Sequence, residues 1–290
     1  ALFVVLFFVG HAGYWMMVRR PAHLTQAILG DLRQRYLTVE RLVPAAVVIA
    51  ALTLFTSVFT SMKVLIPAVQ PFRWDAAFAD WDRILHFGVD PWRLTHAVFG
   101  ADLATSGVNA LYNLWFFVLF LTVFWQAFAA TDRVGRMRFF VSFVLCWAVI
   151  GNLAATFLSS AGPVYFDRVT ELTGSFGELM AALEATAETN RVWALEVQEM
   201  LWAGYSNAEV GLGGGISAMP SLHVAMAVLF VFIAARRNRL LAWGFGIYAA
   251  AIMIGSVHLA WHYAIDGYLG ALMAWGIWWL SGYLVRDGRT

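Results

Sequence analysis

The chain has 290 residues, of which 61% are hydrophobic and 13% charged, with a mean hydropathy of +0.70 and a net charge of +1. A soluble domain averages about 45–50% apolar residues, so this composition excludes that class, and recurring apolar runs of about 20 residues read as bilayer-crossing helices. The lone cysteine, Cys146, excludes an intrachain disulfide, and the sequence holds no nucleic-acid motif, low-complexity tract or clear internal repeat.

Seven spans are predicted in chain order, roughly at 1–18, 42–66, 109–130, 139–158, 217–235, 240–258 and 264–284. The expected fold class is all-α, a polytopic membrane protein. The run "ALFVVLFFVGHAGYWMMV" has the look of a signal segment. No basic region precedes it and Arg19 and Arg20 follow, so it reads as a span. Residues 1–41 then form an N-terminal span with its linker, and 42–290 a membrane domain.

The arginines set the orientation. Arg19, Arg20, Arg33, Arg35 and Arg41 precede the second span; Arg133, Arg136 and Arg138 lie between the third and fourth; Arg236, Arg237 and Arg239 lie between the fifth and sixth; Arg286 and Arg289 follow the seventh. Alternating spans place all four clusters on one side, which the positive-inside rule makes the cytoplasm. That pattern suits a bacterial inner membrane with a cytoplasmic C-terminus.

The opposite side receives two long loops, about 67–108 and 159–216, and a tight turn near His262. The second loop is acidic, with Asp167, Glu171, Glu178, Glu184, Glu188, Glu196, Glu199 and Glu209 against Arg168 and Arg191. In "FGELMAALEATAETNRVWALEVQEMLWAGY" Leu, Met and Trp recur at helical spacing between acids. An insertion at about 165–212 is therefore expected to form one or two amphipathic helices on the outer interface, as a structural cap with a lid as its second role. Trp74, Trp81 and Trp92 fit an aromatic belt.

Ionisable groups at the ends of spans are costly and point to function. Four clusters fall at the outer face: Lys63, the chain's only lysine; "SSAGPVYFDR" at Ser159–Arg168; Ser221 and His223 in "MPSLHV"; and "GSVHLAWHYAIDG" at Gly255–Gly267. His262 and Asp266 are four apart and share a helix face, so the carboxylate can orient the imidazole and raise the basicity of its far nitrogen. That makes His262 a candidate nucleophile and His223 a candidate general acid and base. Ser221 and the amides of Gly213–Gly215, Gly215 among them, can hold an anion at a helix N-terminus, and Lys63 can neutralise phosphate charge. The set suits phosphoryl transfer. Plainer readings stand beside each residue. Pro220–Ser221 is an ordinary helix start, glycine runs are usually turns, and His258 reads as a packing residue. His258, His262 and Asp266 on one stripe are also a metal-ligand pattern.

"PSLH" at Pro220–His223 and "HYAID" at His262–Asp266 resemble two signatures of the type 2 phosphatidic acid phosphatase superfamily, in the variant of the inositolphosphorylceramide synthases and their bacterial relatives. The resemblance covers the second to seventh spans. It implies a six-helix phosphatase-like core, a metal-independent reaction with no cofactor, a phosphohistidine on His262 oriented by Asp266, His223 as general acid and base, and Ser221 at the phosphoryl oxygens. The superfamily's first signature, KxxxxxxRP, is echoed by Lys63, Gln70 and Pro71, with Gln in the arginine position. The third signature begins with Gly255 and Ser256 where a Ser-Arg pair is usual, so Arg168, with Tyr165 beside it, is the substitute phosphate contact. The implied partners are a lipid phosphoester, a hydroxyl-lipid acceptor if the reaction is a transfer, and the bilayer.

Three further readings compete. A lipid or isoprenyl phosphate phosphatase would pass the phosphoryl group to water. A proton-coupled transporter would spread ionisable groups through the bilayer depth, whereas here they gather at one end. A catalytically dead scaffold would have no need of the intact His223, His262 and Asp266.

Overall fold

The computed structural model describes residues 2–129, 132–172, 174–207 and 214–285, and its regular elements are all helical. Glu209, Gly213, Arg286 and Arg289 lie outside the described residues. In chain order the helices are α1 (Leu2–Tyr14), α2 (Leu24–Asp31), α3 (Val39–Val69), α4 (Asp75–Leu85), α5 (Pro91–Phe99), α6 (Asp102–Asn113), α7 (Trp115–Phe128), α8 (Arg133–Leu145), α9 (Ala155–Phe157), α10 (Phe166–Val169), α11 (Gly177–Thr189), α12 (Trp193–Ser206), α13 (Leu222–Ala235), α14 (Arg239–His258) and α15 (Ala264–Leu284). Polar residues start several of them by accepting orphan N–H groups. Asp132 accepts from Gly135 at 2.8 Å before α8, and Asn238 from Leu241 at 2.7 Å before α14.

Among the described residues four helical rods are long and apolar enough to cross a membrane: Val39–Val69, Asp102–Phe128, Arg133–Phe157 and Arg239–His258. They make the chain a membrane protein. The expected count of seven is not reached on length and apolarity. Helix α13 has 14 residues, about 21 Å at 1.5 Å per residue, against a bilayer core of about 30 Å. The predicted span at 217–235 overran because Pro220 and Ser221 set the helix start, so 217–221 stay outside the helix. Helix α15 has 21 residues, but its glycines, tryptophans and tyrosines dilute its apolarity.

Helix α13 is apolar on every side, and a helix of that kind belongs in a core. Val224, Ala225, Met226, Ala227, Leu229, Phe230, Ile233 and Ala234 are all buried, with α14 and α15 packed against the helix. Lipid is as apolar as leucine, so close packing rather than water exclusion holds such helices together. Small residues permit it. On α15, Gly267, Gly270 and Ala274 are buried, and a Cβ at Gly270 would collide with the Ser221 carbonyl at the start of α13. Helices α11 and α12 rest on α6. Thr186 and Thr189 donate to Asp102 at 3.1 and 2.9 Å, and Gln198 donates to the Leu259 carbonyl at 2.8 Å.

Candidate active site

The site is assembled where α3, α13 and the α14–α15 turn meet, and the turn is fixed from several directions. The Ser256 carbonyl accepts from the Trp261 and His262 amides, each at 3.0 Å. The Ala260 carbonyl accepts from Val164 at 3.0 Å, and Ala260 itself holds a left-handed φ of 61°. Gly162 passes this turn at φ 96°, where a Cβ would stand 2.7 Å from the Trp261 carbonyl oxygen, so only glycine fits.

Helix α4 supplies a pair of carboxylates that sequence reading left without a role. Asp75 and Asp82 are seven apart, two turns along one helix face, and both are buried. Asp82 accepts from the Ala264 and Ile265 amides at 2.7 and 2.9 Å, so an acid on a neighbouring helix caps α15. Asp75 accepts from the Ala161 amide at 2.9 Å, the Gly162 amide at 2.8 Å and the Tyr263 hydroxyl at 2.9 Å. Burial pushes both carboxyls above their ordinary value, and the N–H donors pull against that shift. Their signal in the sequence, "WDAAFADWD", reads as an ordinary amphipathic helix with its acids in solvent.

On this frame His262 Nδ1 lies 3.2 Å from Asp266 Oδ2, which also accepts from the Tyr263 amide at 3.1 Å. Asp266 is fully buried and His262 is 7% exposed. With Nδ1 turned to the carboxylate, Nε2 is the nitrogen left for a reacting group, and the Ala218 backbone also hydrogen-bonds the ring. Burial first, and then the charge of Lys63, hold the His262 imidazole below its ordinary pKa and favour its neutral form. His223, in the first turn of α13, faces it with ring centroids 6.2 Å apart. Tyr112 stacks on His223 at 5.1 Å, the Trp115 ring lies tilted against it at 4.2 Å, and the Trp115 indole N–H donates to the His223 carbonyl at 3.0 Å. These aromatics from α6 and α7 set the ring's orientation, and no motif in the sequence announced them. Lys63 is close enough for its charge to act on both imidazoles. Gly215, at φ 90°, lies against the Lys63 backbone, where a Cβ would come 3.1 Å from its carbonyl carbon.

The structure thus brings His262, Asp266, His223 and Lys63 together and carries Gly215 past them. Ser221 sits at the N-cap of α13, fully buried, its amide donating to the Asp266 carbonyl at 2.9 Å and its Oγ accepting from Val224 at 3.4 Å. The polar contacts of Arg168 and Tyr165 lie elsewhere, on α12. Arg168 pairs with Glu199, its guanidinium 5.0 Å from the Trp202 ring centroid. The Tyr165 hydroxyl donates to the Gln198 carbonyl at 2.7 Å. Gly213 falls outside the described residues.

His258 belongs to a different group from His262. Its Nε2 meets the Thr105 hydroxyl at 3.0 Å, its ring stacks on His96 at 4.0 Å, and its carbonyl oxygen contacts His96 Nε2 at 3.0 Å. Among the described residues no three His, Cys, Asp or Glu side chains form a metal-ligand set. His258→Ala is therefore expected to keep at least about half of parental turnover, while its melting midpoint in detergent falls because a buried ring and its hydrogen bond are lost. A loss of turnover as complete as that of a His262 variant would restore the metal-stripe reading.

No curated protein and no solved structure matches the chain. A family model described as the PAP2 superfamily, the type 2 phosphatidic acid phosphatases, matches residues 76–280. That match spans well over half of the chain and takes in both histidines, Asp266 and the α4 carboxylate Asp82. With the helical fold and the facing imidazoles, it makes this chain a member of the PAP2 superfamily.

Proposed function

We propose that the chain is an integral-membrane lipid phosphotransferase or phosphatase that works on phospholipid-type phosphoesters through a phosphohistidine, in the manner of the inositolphosphorylceramide synthases. The observation that carries the reading is the His262–Asp266 pair at 3.2 Å with His223 facing it. Nε2 of His262 attacks phosphorus, the P–O bond to the leaving alcohol breaks, and protonated His223 gives its proton to that oxygen. A hydroxyl acceptor then gives its proton to His223 as its oxygen bonds phosphorus and the P–N bond breaks. Lys63 stabilises the charge that builds on the phosphoryl oxygens, with Ser221, Gly215, Arg168 and Tyr165 the remaining candidates for that task.

In this reading the membrane domain at 42–290 forms a six-helix core after an N-terminal span and linker at 1–41. Seven crossings place the arginine clusters in the cytoplasm of a bacterial inner membrane, the site on the periplasmic side, and the insertion at 165–212 over the site as a cap.

The decisive assay uses purified protein in mild detergent with a chelator present. Phosphatidate, isoprenyl phosphates and phosphatidylinositol are offered with and without ceramide or diacylglycerol, and products are followed by mass spectrometry. A new phospholipid that requires both a hydroxyl acceptor and His262 establishes the transferase. Free phosphate that requires His262 establishes the phosphatase. Turnover of none of these, or turnover abolished by the chelator, overturns the reading.

A further inference from the structure

An apolar groove of about 490 Å³ runs beside the site between α4 and α15. Its α15 wall is Ile265, Tyr268, Leu269 and Leu272, at i, i+3, i+4 and i+7, one continuous helix face. Its α4 wall is Trp81, Ile84 and Leu85, again at i, i+3 and i+4. Met219 closes the remaining side. We propose that this groove holds one hydrocarbon chain of the phosphoester substrate and selects substrates by that chain, an inference that rests on the lipid phosphotransfer reading of the site.

Three observations commit the groove to that occupant. The first is position. Ile265 precedes Asp266, and Met219 lies four residues before His223, so the groove begins within a helical turn of the reacting groups. The second is direction. From Ile265 to Leu272 the α15 wall covers about 10 Å along a helix that starts at the site and runs away from it. A lipid with its phosphate at His262 lies with its chains parallel to such a helix, and the wall matches the upper part of one leaflet, about half of a 30 Å core. The third is continuity. The outer lip, Trp81, Ile84, Leu85 and Leu272, is exposed and runs into the exposed Trp275 and Trp279 farther along α15. Phe87, just past α4, is 99% exposed at a left-handed φ of 58°. A surface this apolar is covered by hydrocarbon, and the lip lets a chain enter sideways from the bilayer. The volume lies in the range of small-molecule sites. No Asp, Glu, Lys, Arg or His side chain lines it, and its one hydroxyl, on Tyr268, is taken up by His86 Nε2 at 2.9 Å, so it has no charged group to offer a headgroup.

The test has two arms on the full chain in lipid nanodiscs. In the first, Leu85→Trp and Leu272→Trp fill the groove from its exposed lip, and Leu280→Trp places the same ring farther along α15. The ratio of kcat/KM for dioleoyl phosphatidate to that for dibutyryl phosphatidate is expected to fall at least about tenfold in the two groove variants and to keep its parental value in Leu280→Trp. An unchanged ratio in both groove variants overturns the chain subsite while leaving the phosphotransfer chemistry standing. In the second arm, a phosphatidate with a photoreactive acyl chain is bound to the His262→Ala protein and the labelled peptides are mapped. Labelling of α4 and α15 that is competed by unlabelled phosphatidate but not by phosphatidylcholine supports the subsite. Competition by both lipids alike means bulk lipid only and overturns it. Specific labelling in a protein that turns over no phosphoester would leave the subsite standing and remove the chemistry assigned to the histidines.

Discussion

His262→Ala is expected to lower kcat on the order of 10⁴-fold or more, because the covalent route has no other nucleophile at this place. What would remain is the binding and charge stabilisation offered by Lys63 and the neighbouring amides. Asp266→Asn is expected to cost roughly 10²–10⁴-fold, since an amide can present the wrong partner to Nδ1 and lose the tautomer that leaves Nε2 free. Asp266 also accepts from the Tyr263 amide, so its melting midpoint in detergent should be measured beside its kinetics. A variant that melts near the parental temperature and has lost turnover assigns the loss to chemistry. Near-parental turnover in folded His262→Ala would end the phosphohistidine mechanism. A trapped phosphoenzyme in the parent, labile to acid and absent in His262→Ala, would identify the intermediate directly.

Asp82→Asn is expected to lower kcat at least about tenfold with KM changed much less, although Asp82 touches no reacting atom. The carboxylate takes both of the first free amides of α15, and the asparagine side chain has one acceptor oxygen for two donors. One buried N–H is then unpaired, at about 1–3 kcal/mol, and the first turn of the helix that carries Asp266 and follows His262 loses its anchor. The melting midpoint should fall as well. A purely structural role would lower stability and leave the kcat of the surviving folded protein unchanged, and that result would remove Asp82 from the positioning set. Asp82→Glu, which keeps two acceptors on a longer arm, should recover part of the kcat.

What could be read from the sequence was local. The four-residue spacing of His262 and Asp266 keeps the pair within reach of each other, and the structure sets them in contact although His262 lies in the turn before α15 and not on a helix face. The four rods also announce themselves by apolar length. What depended on tertiary contact did not. Asp75 and Asp82 look like solvated acids until α15 and the Ser159–Gly162 loop arrive to donate to them. The burial of Ser221 follows from the close approach of α15 that Gly270 allows, a contact its place in the sequence does not announce. Arg168 and Tyr165 meet Glu199, Gln198 and Trp202, some thirty residues farther on, and that pairing is not legible in the sequence. The shortness of α13 was illegible for a similar reason. A central helix shielded by its neighbours, such as α13, can be short, and a window of hydropathy has no knowledge of neighbours.

Lys63 has one more consequence, for protein chemistry rather than for catalysis. It carries the only ε-amine in the chain, and Cys146, the only thiol, is fully buried. Reagents that seek lysine side chains have a single address on this protein, and it lies beside the two imidazoles. Acylation there replaces a cation with a neutral amide without any change in the gene, so one round of chemical labelling amounts to a titration of the site, read as the mass increment on the peptide that carries Lys63.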